Sequence, residues 1–274
     1  MQHIDLHVHT TASDGTLTPT EAVCHAKERG LAAIAITDQD THAGVNEALE
    51  AGKRYGVEVV PGIEISVDYR GRGIHILGYD IDPDSAAMAT LLDWVIAERK
   101  RRNRQIAKAM QDDGIPVYVE ELREKYPDSV VGRPHFAAAL VELGYAESIR
   151  DAFDRYLNMD CKYFRRREYI PIDDAFSVIR NAGGRAVIAH PLQYRLPEPE
   201  LLEMIETLKA AGAVGMECLY FGYRPERMEY LRALAERYDL CVTGGSDFHG
   251  ARKPHIEMGT PDVPYALLET LRAR

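Results

Sequence analysis

The chain has 274 residues, 46% hydrophobic and 8% aromatic, enough to bury a sizeable core in one large α/β domain or two smaller ones. A formal net charge of -10 and a pI near 5.5 argue against broad binding to long nucleic acid duplexes or anionic membranes, although a local basic patch can still meet a phosphate. The four cysteines form no C-x-x-C pair, and there is no basic-then-apolar leader and no run of 18 apolar residues, so a cytoplasmic protein with reduced thiols and no membrane span is expected.

The first predicted strand is "IDLHVH" at 4–9. Strict alternation there sends Ile4, Leu6 and Val8 to a core face and Asp5, His7 and His9 to the other. "TPTE" at 18–21 then supplies a capping box, with Thr18 as N-cap, Pro19 at the first helical position and Glu21 at N3, opening a helix over Pro19–Arg29. "AAIAIT" (32–37), a helix over Val45–Tyr55, and the short runs "VEVV" (57–60), "GIEISV" (62–67) and "IHILGY" (74–79) follow. From about Asp84 to Arg167 the pattern is helical and heavily charged with no clear strand, which predicts an inserted helical subdomain packed over the mouth of the main fold. Strand and helix then alternate again: Asp173–Ala182, "RAVIAH" (185–190), Glu198–Ala211, "AVGMECL" (213–219), Arg224–Tyr238 and "LCVTGG" (240–245). This is the alternation of a parallel α/β sheet or barrel, formed by 1–83 and 168–274 with 84–167 inserted.

A lone H-x-H usually lines the polar side of an edge strand. Here, however, His7 and His9 are joined by Asp38, Glu64, His75, His190, Asp247 and His249, each at or just past a predicted strand and most towards strand C-terminal ends. In β/α barrels that rim is where groups from different strands converge. Mixed imidazole and carboxylate donors suit manganese, iron or zinc, whereas an all-oxygen set suits magnesium or calcium. Two such ions about 3.5–4 Å apart can hold a hydroxide and clamp a phosphate undergoing in-line displacement, with no protein nucleophile.

Taken together, "DLHVHTTASDG", "ITDQDT", "GIEIS", "HILGY", "IAHP" and "GGSDFHG" resemble, in order, the signatures of the polymerase and histidinol phosphatase (PHP) superfamily of metallophosphoesterases. "GRPHFA" in the insertion further resembles the branch with 3′,5′-nucleoside bisphosphate phosphatases and a 5′-to-3′ exoribonuclease of short RNAs. The resemblance implies a distorted (β/α)7 TIM-like barrel with an inserted helical subdomain, two or three divalent ions with manganese foremost, and hydrolysis by metal-bound hydroxide. It implies one ion among His7, His9, Glu64 and Asp247, and a second among Glu64, His75 and His190. A third would take Asp14, His249 and the residue after Asp38, which is Gln39 here and a poorer donor than imidazole. Asp38 reads as a partner of a ligand histidine, and Asp40 either as a proton shuttle or as a turn aspartate. Glu217, His3, His25, His42 and His255 are set aside as ligands.

Arg99–Arg102, Arg104 and Lys108 form a local basic excess whose usual meaning is a solvated helix face; Arg102 is the first candidate there to point at an anion. Arg133 and His135 of "GRPHF" are expected to grip a phosphate that is not cleaved, although His135 also suits a helix start. Lys162, Tyr163 and the run Arg165–Arg167 are expected to complete that second pocket. The expected substrate is a small phosphorylated nucleotide or short RNA; the alternatives are a histidinol-phosphate-type metabolite and a noncatalytic metal-stabilised module.

Overall fold

The computed structural model describes residues 2–127, 131–166 and 168–274. The chain divides into two compact units, residues 1–91 with 169–274, and residues 92–168. Arg167, grouped above with Arg165 and Arg166, lies outside the described residues.

The first unit carries β1 (His3–Val8), α1 (Pro19–Glu28), β2 (Ala33–Ile36), α2 (Val45–Tyr55), β3 (Glu58–Tyr69) and β4 (Arg72–Tyr79). After the second unit it resumes with β5 (Ile170–Pro171), α7 (Ile172–Asn181), β6 (Arg185–Ile188), α8 (Glu198–Ala211), β7 (Gly215–Tyr220), α9 (Pro225–Arg237), β8 (Cys241–Gly245), β9 (Val263–Pro264) and α10 (Ala266–Arg272). The strands run β8-β7-β6-β4-β3-β2-β1-β9, and a parallel bridge between Val8 and Phe248 brings the β8 side back to β1, so the sheet is a nearly closed barrel. The capping box forms as expected: Thr18 Oγ1 accepts from Glu21 N at 3.2 Å, and Thr18 N donates to Glu21 Oε2 at 2.8 Å.

Three departures from the sequence reading matter for function. "VEVV" and "GIEISV" form one 12-residue strand rather than two, because the Pro61–Gly62 step does not turn the chain. It changes partners instead: the parallel ladder with β2 ends at Pro61, and the ladder with β4 begins at Gly62. β4 runs antiparallel to both β3 and β6, so its early residue His75 lies opposite Ser66 and reaches the same end of the barrel as the C-terminal ends of its parallel neighbours. Finally, β1 does not alternate strictly, because its register against β2 slips between Asp5 and Val8. Ile4 and Leu6 join a core drawn from β2, β3, β4, β6, β7 and β8, whereas Val8 packs with Ile34, Ile36 and the helix residues Ala22, Val23 and Ala48. The irregularity lets Leu6 and His7, adjacent in sequence, serve the core and the site respectively. Gly245 accommodates it: a Cβ there would lie 2.4 Å from that of His7 and 2.5 Å from the His7 nitrogen.

The second unit holds most of α3 (Ala86–Asp112), with α4 (Val119–Lys125), α5 (Arg133–Glu142) and α6 (Ile149–Ala152). Its core joins Ile106, Met110, Val117, Leu122, Phe136, Leu140, Ala152 and Leu157. Among the described residues no helix is long and apolar enough to cross a membrane.

Candidate metal centre

Glu64 on β3 is the hub. His75 Nδ1 and His190 Nε2 converge on its Oε1 at 2.8 and 3.0 Å, and His7 Nε2 lies 3.6 Å from the same oxygen. Glu64 Oε2 lies 3.6 Å from His9 Nε2. Asp247, just past β8, turns Oδ1 to His9 Nε2 at 3.3 Å and to His7 Nε2 at 3.5 Å. Asp14 Oδ1 lies 3.4 Å from both His9 Nδ1 and His249 Nε2. Among the described residues three donor groups have ligand atoms within 4.8 Å of one another: His7–Glu64–His190, His7–His9–Asp247 and His9–Asp14–His249. His190 and Asp247 adopt φ of 25° and 59°, so the backbone accepts left-handed, strained conformations where these donors turn inward.

The orientation of the rings fits metal ligation. His7 Nδ1 donates to Glu217 Oε1 at 2.9 Å and His249 Nδ1 donates to the Asp247 carbonyl at 2.7 Å, which leaves each Nε2 facing the donor groups. A ligating imidazole characteristically gives its other N–H to a carboxylate or carbonyl in this way. Glu217, set aside as a ligand, is fully buried, and its other oxygen accepts from His190 N at 2.7 Å.

Burial disfavours a charged His7, but the carboxylates of Glu217, Asp247 and Glu64 outweigh it and push the pKa up to about 9. His9 is raised for the same reason, against its own burial, by Asp14, Asp247 and Glu64. Burial would raise Asp14, Glu64 and Asp247, yet neighbouring cationic groups hold all three well below the usual carboxylate range. Such a field favours any cation, so a divalent ion competes with protons for these imidazoles. Buried nitrogen and oxygen donors with oriented imidazoles fit divalent metal ions.

Gln39 requires a correction. Expected beside Asp14 and His249, it bridges Glu64 through the backbone and turns its amide to His75 Nε2 at 3.1 Å and Ser66 Oγ at 3.4 Å. The reason is the parallel bridge, which puts Gln39 beside the strand that carries Glu64 and Ser66. The place next to Asp14 and His249 is taken by His9. Asp38 accepts from Thr10 N and Oγ1, both at 2.7 Å, and from Ser13 Oγ at 2.5 Å; Ser13 Oγ is in turn 3.5 Å from His9 Nδ1, and the charge of His9 opposes the rise that burial gives the Asp38 pKa. Asp40 is buried, with φ of 56°, and accepts from Ser66 N and Oγ at 2.8 and 3.2 Å, the contacts of the turn role.

The basic candidates of the helical unit meet partners of their own. His135 is fully buried and its Nδ1 accepts from Gly132 N at 3.0 Å, closing the start of α5 as the helix-start alternative has it. Lys162 Nζ, at 2.5 Å, and Tyr163 Oη both engage Asp113 Oδ2; burial, then Asp113, push the Tyr163 phenol up to about 12. Arg102 is buried and donates to Asn103 Oδ1 at 3.1 Å. Arg133 is half-buried, its guanidinium 5.7 Å from the Phe164 ring centre and 6.0 Å from that of Phe153.

Sequence reasoning missed three groups. Asp5 is a buried carboxylate accepting from His7 N, Ser246 N and Oγ, and Gly259 N; burial raises its pKa and these bonds oppose the rise. Tyr194 Oη accepts from His75 N at 2.8 Å and donates to the Ala189 carbonyl at 3.1 Å, tying β4 to the His190 turn. Lys253 Nζ lies 2.7 Å from Asp247 Oδ2. Of the three, only Asp5 carried a sequence signal, as the acid opening the D-x-H-x-H stretch.

The PHP domain pattern matches residues 5–162. The chain belongs to the PHP domain family. It is a hydrolase of the metal-dependent phosphoesterase class. A 5′-3′ exoribonuclease of Haemophilus influenzae is 39% identical over 245 residues, 89% of each chain. A 3′,5′-nucleoside bisphosphate phosphatase of Chromobacterium violaceum is 34% identical over 266 residues, 96% of this chain and 93% of that one. The crystal structure of a protein from Bifidobacterium adolescentis described as a metal-dependent phosphoesterase superposes with a TM-score of 0.89 at 32% identity, covering 99% of this chain and 96% of that one.

Proposed function

We propose that the protein removes one phosphate from 3′,5′-nucleoside bisphosphates, using divalent ions, manganese foremost with iron or zinc also suited, in the cytoplasm. The observation that carries this reading is the sharing of donors: His7 belongs to two of the three groups and His9 to two, so the groups form one continuous chain of ligands rather than isolated sites. In this reading Glu64, His75 and His190 would hold one ion, His7, His9 and Asp247 together with the shared Glu64 a second, and Asp14 and His249 with His9 a third. Bound ions would lower the pKa of a water and neutralise charge on the phosphate oxygens. The chain's own part is orientation: Glu217 aims His7, Tyr194 places His75, and Asp38 braces the loop that carries His9 and Asp14. Arg133 is assigned to the phosphate that is not cleaved, where a planar guanidinium can meet two oxygens.

Stepwise trimming of short RNA from its 5′ end is the second reading, favoured by the 39% identity to an exoribonuclease. A panel measuring product release with manganese decides: a 3′,5′-bisphosphate, a nucleoside monophosphate, histidinol phosphate and a short 5′-phosphorylated RNA. The bisphosphate is expected to show the highest kcat/KM. A higher value for the RNA selects the second reading, and preference for histidinol phosphate, or turnover of none, overturns both.

A further inference from the structure

The turn after β8 brings a lysine into the metal centre. Thr16, beyond the opening motif, anchors that turn: its Oγ1 accepts from Ala251 N at 2.8 Å. A Cβ on Gly250, whose φ is +63°, would lie 2.1 Å from the same oxygen, so the close approach needs a glycine. From this anchored turn Lys253 reaches Asp247. Its Nζ, at 2.7 Å, and Tyr220 Oη, at 2.8 Å, both donate to Oδ2. Oδ1 faces His9 at 3.3 Å and His7 and His249 at 3.5 Å each. The two oxygens of one carboxylate therefore have separate tasks.

We propose that Lys253 is a positioning residue which limits Asp247 to one ligand oxygen, weakens the centre's hold on divalent ions and strengthens its attraction for the substrate's phosphate. The proposal rests on the metal-centre reading above. With Oδ2 occupied by an ammonium and a phenol, only Oδ1 is offered to an ion. A fixed positive charge on a ligand carboxylate repels a second cation and attracts an anion, and both effects persist in a site screened from water. The side chain is 36% exposed, so solvent reduces them without cancelling them.

The effects have opposite signs, and a merely structural role does not produce that pattern. The test is calorimetric titration of manganese into the full chain stripped of metal, with phosphate-release kinetics on p-nitrophenyl phosphate at saturating manganese. Lys253→Met and Lys253→Gln, which both lose the charge, are expected to bind manganese roughly tenfold more tightly. Their KM for the ester should rise about fivefold, with a smaller change in kcat. Lys253→Arg, which keeps the charge, should stay within about twofold of the unaltered chain for metal. Higher salt should shrink the differences. Unchanged or weaker manganese binding by both neutral variants, each melting at the parental temperature, overturns the proposal, as does an arginine variant that behaves like them. Failure of the unaltered chain to bind manganese overturns the metal-centre reading itself.

Discussion

Two sets of residues attract notice by type in this sequence, the histidines and acids at the strand ends and the basic run of residues 92–168, and the structure treats them differently. At the barrel end, Glu64, His7, His9, His190, Asp14 and Asp247 face one another, with Glu217 and Lys253 adding charge partners from separate elements. In the helical unit long side chains on α3 meet nearby acids: Arg101 pairs with Glu98, three residues back, and Lys108 with Asp112, four residues on. The lesson is one of reach. A long flexible cation on a helix can find an acid three or four residues away, whereas an imidazole on a strand points where the pleat aims it. Ligand types that converge from separate strands therefore signal chemistry more strongly than a basic run does.

Removing the hub should have the largest effect. Glu64→Gln keeps the shape but loses the charge, and phosphate release should fall by roughly three orders of magnitude with a parallel loss of bound metal; retention of activity within about tenfold would place the reaction elsewhere. Glu217→Gln tests the supporting carboxylate. It should cost roughly 10- to 100-fold in manganese affinity by direct titration while the fold persists.

A smaller effect, graded with pH, follows from the protons held by the same cluster. With His7 raised to about 9, metal ligation at pH 7 displaces a proton, so manganese added to stripped protein in weak buffer should acidify it. Apparent affinity should weaken by about tenfold per pH unit of acidification for each proton displaced. The raised pKa also stabilises the stripped fold fully below the unfolded value of about 6.5, a contribution lost as pH rises through about 9. Its melting temperature should decline across that window, and manganese should remove the decline. No acidification on metal addition would mean that His7 and His9 are not displaced from protons by the ion.

The smallest effects separate the helical unit's cations from one another. Arg133→Ala should lower kcat/KM for a 3′,5′-bisphosphate about fivefold more than for an aryl phosphate, because only the former has a second anion to lose. Lys162→Ala, whose cation is already held by Asp113, should leave both within about twofold. Equal losses in both variants on both substrates would erase the distinction.

Much of this was legible because it is local. Thr18, Pro19 and Glu21 form their cap from neighbours three residues apart. Most strand positions followed from short β-branched runs between turn residues, and the clustering of candidate donors from imidazole and carboxylate residues placed at strand ends. The errors share a cause. Pro61–Gly62 reads as a turn until β2 and β4 are present to take successive halves of β3. Alternation in β1 fails because of pairing with β2 and close contact at Gly245.

What the sequence by itself determined is the set of donors, their order along the chain, and the β/α framework, since these depend on residue chemistry and on backbone period. What only the tertiary structure decided is which atom faces which. Glu217 aims His7 across 210 positions, Asp5 meets Ser246 across 241, and Gln39 turns to His75 rather than to Asp14. Such pairings are decided by strand register and by turns that pack after the barrel forms, and no local preference of the chain encodes them.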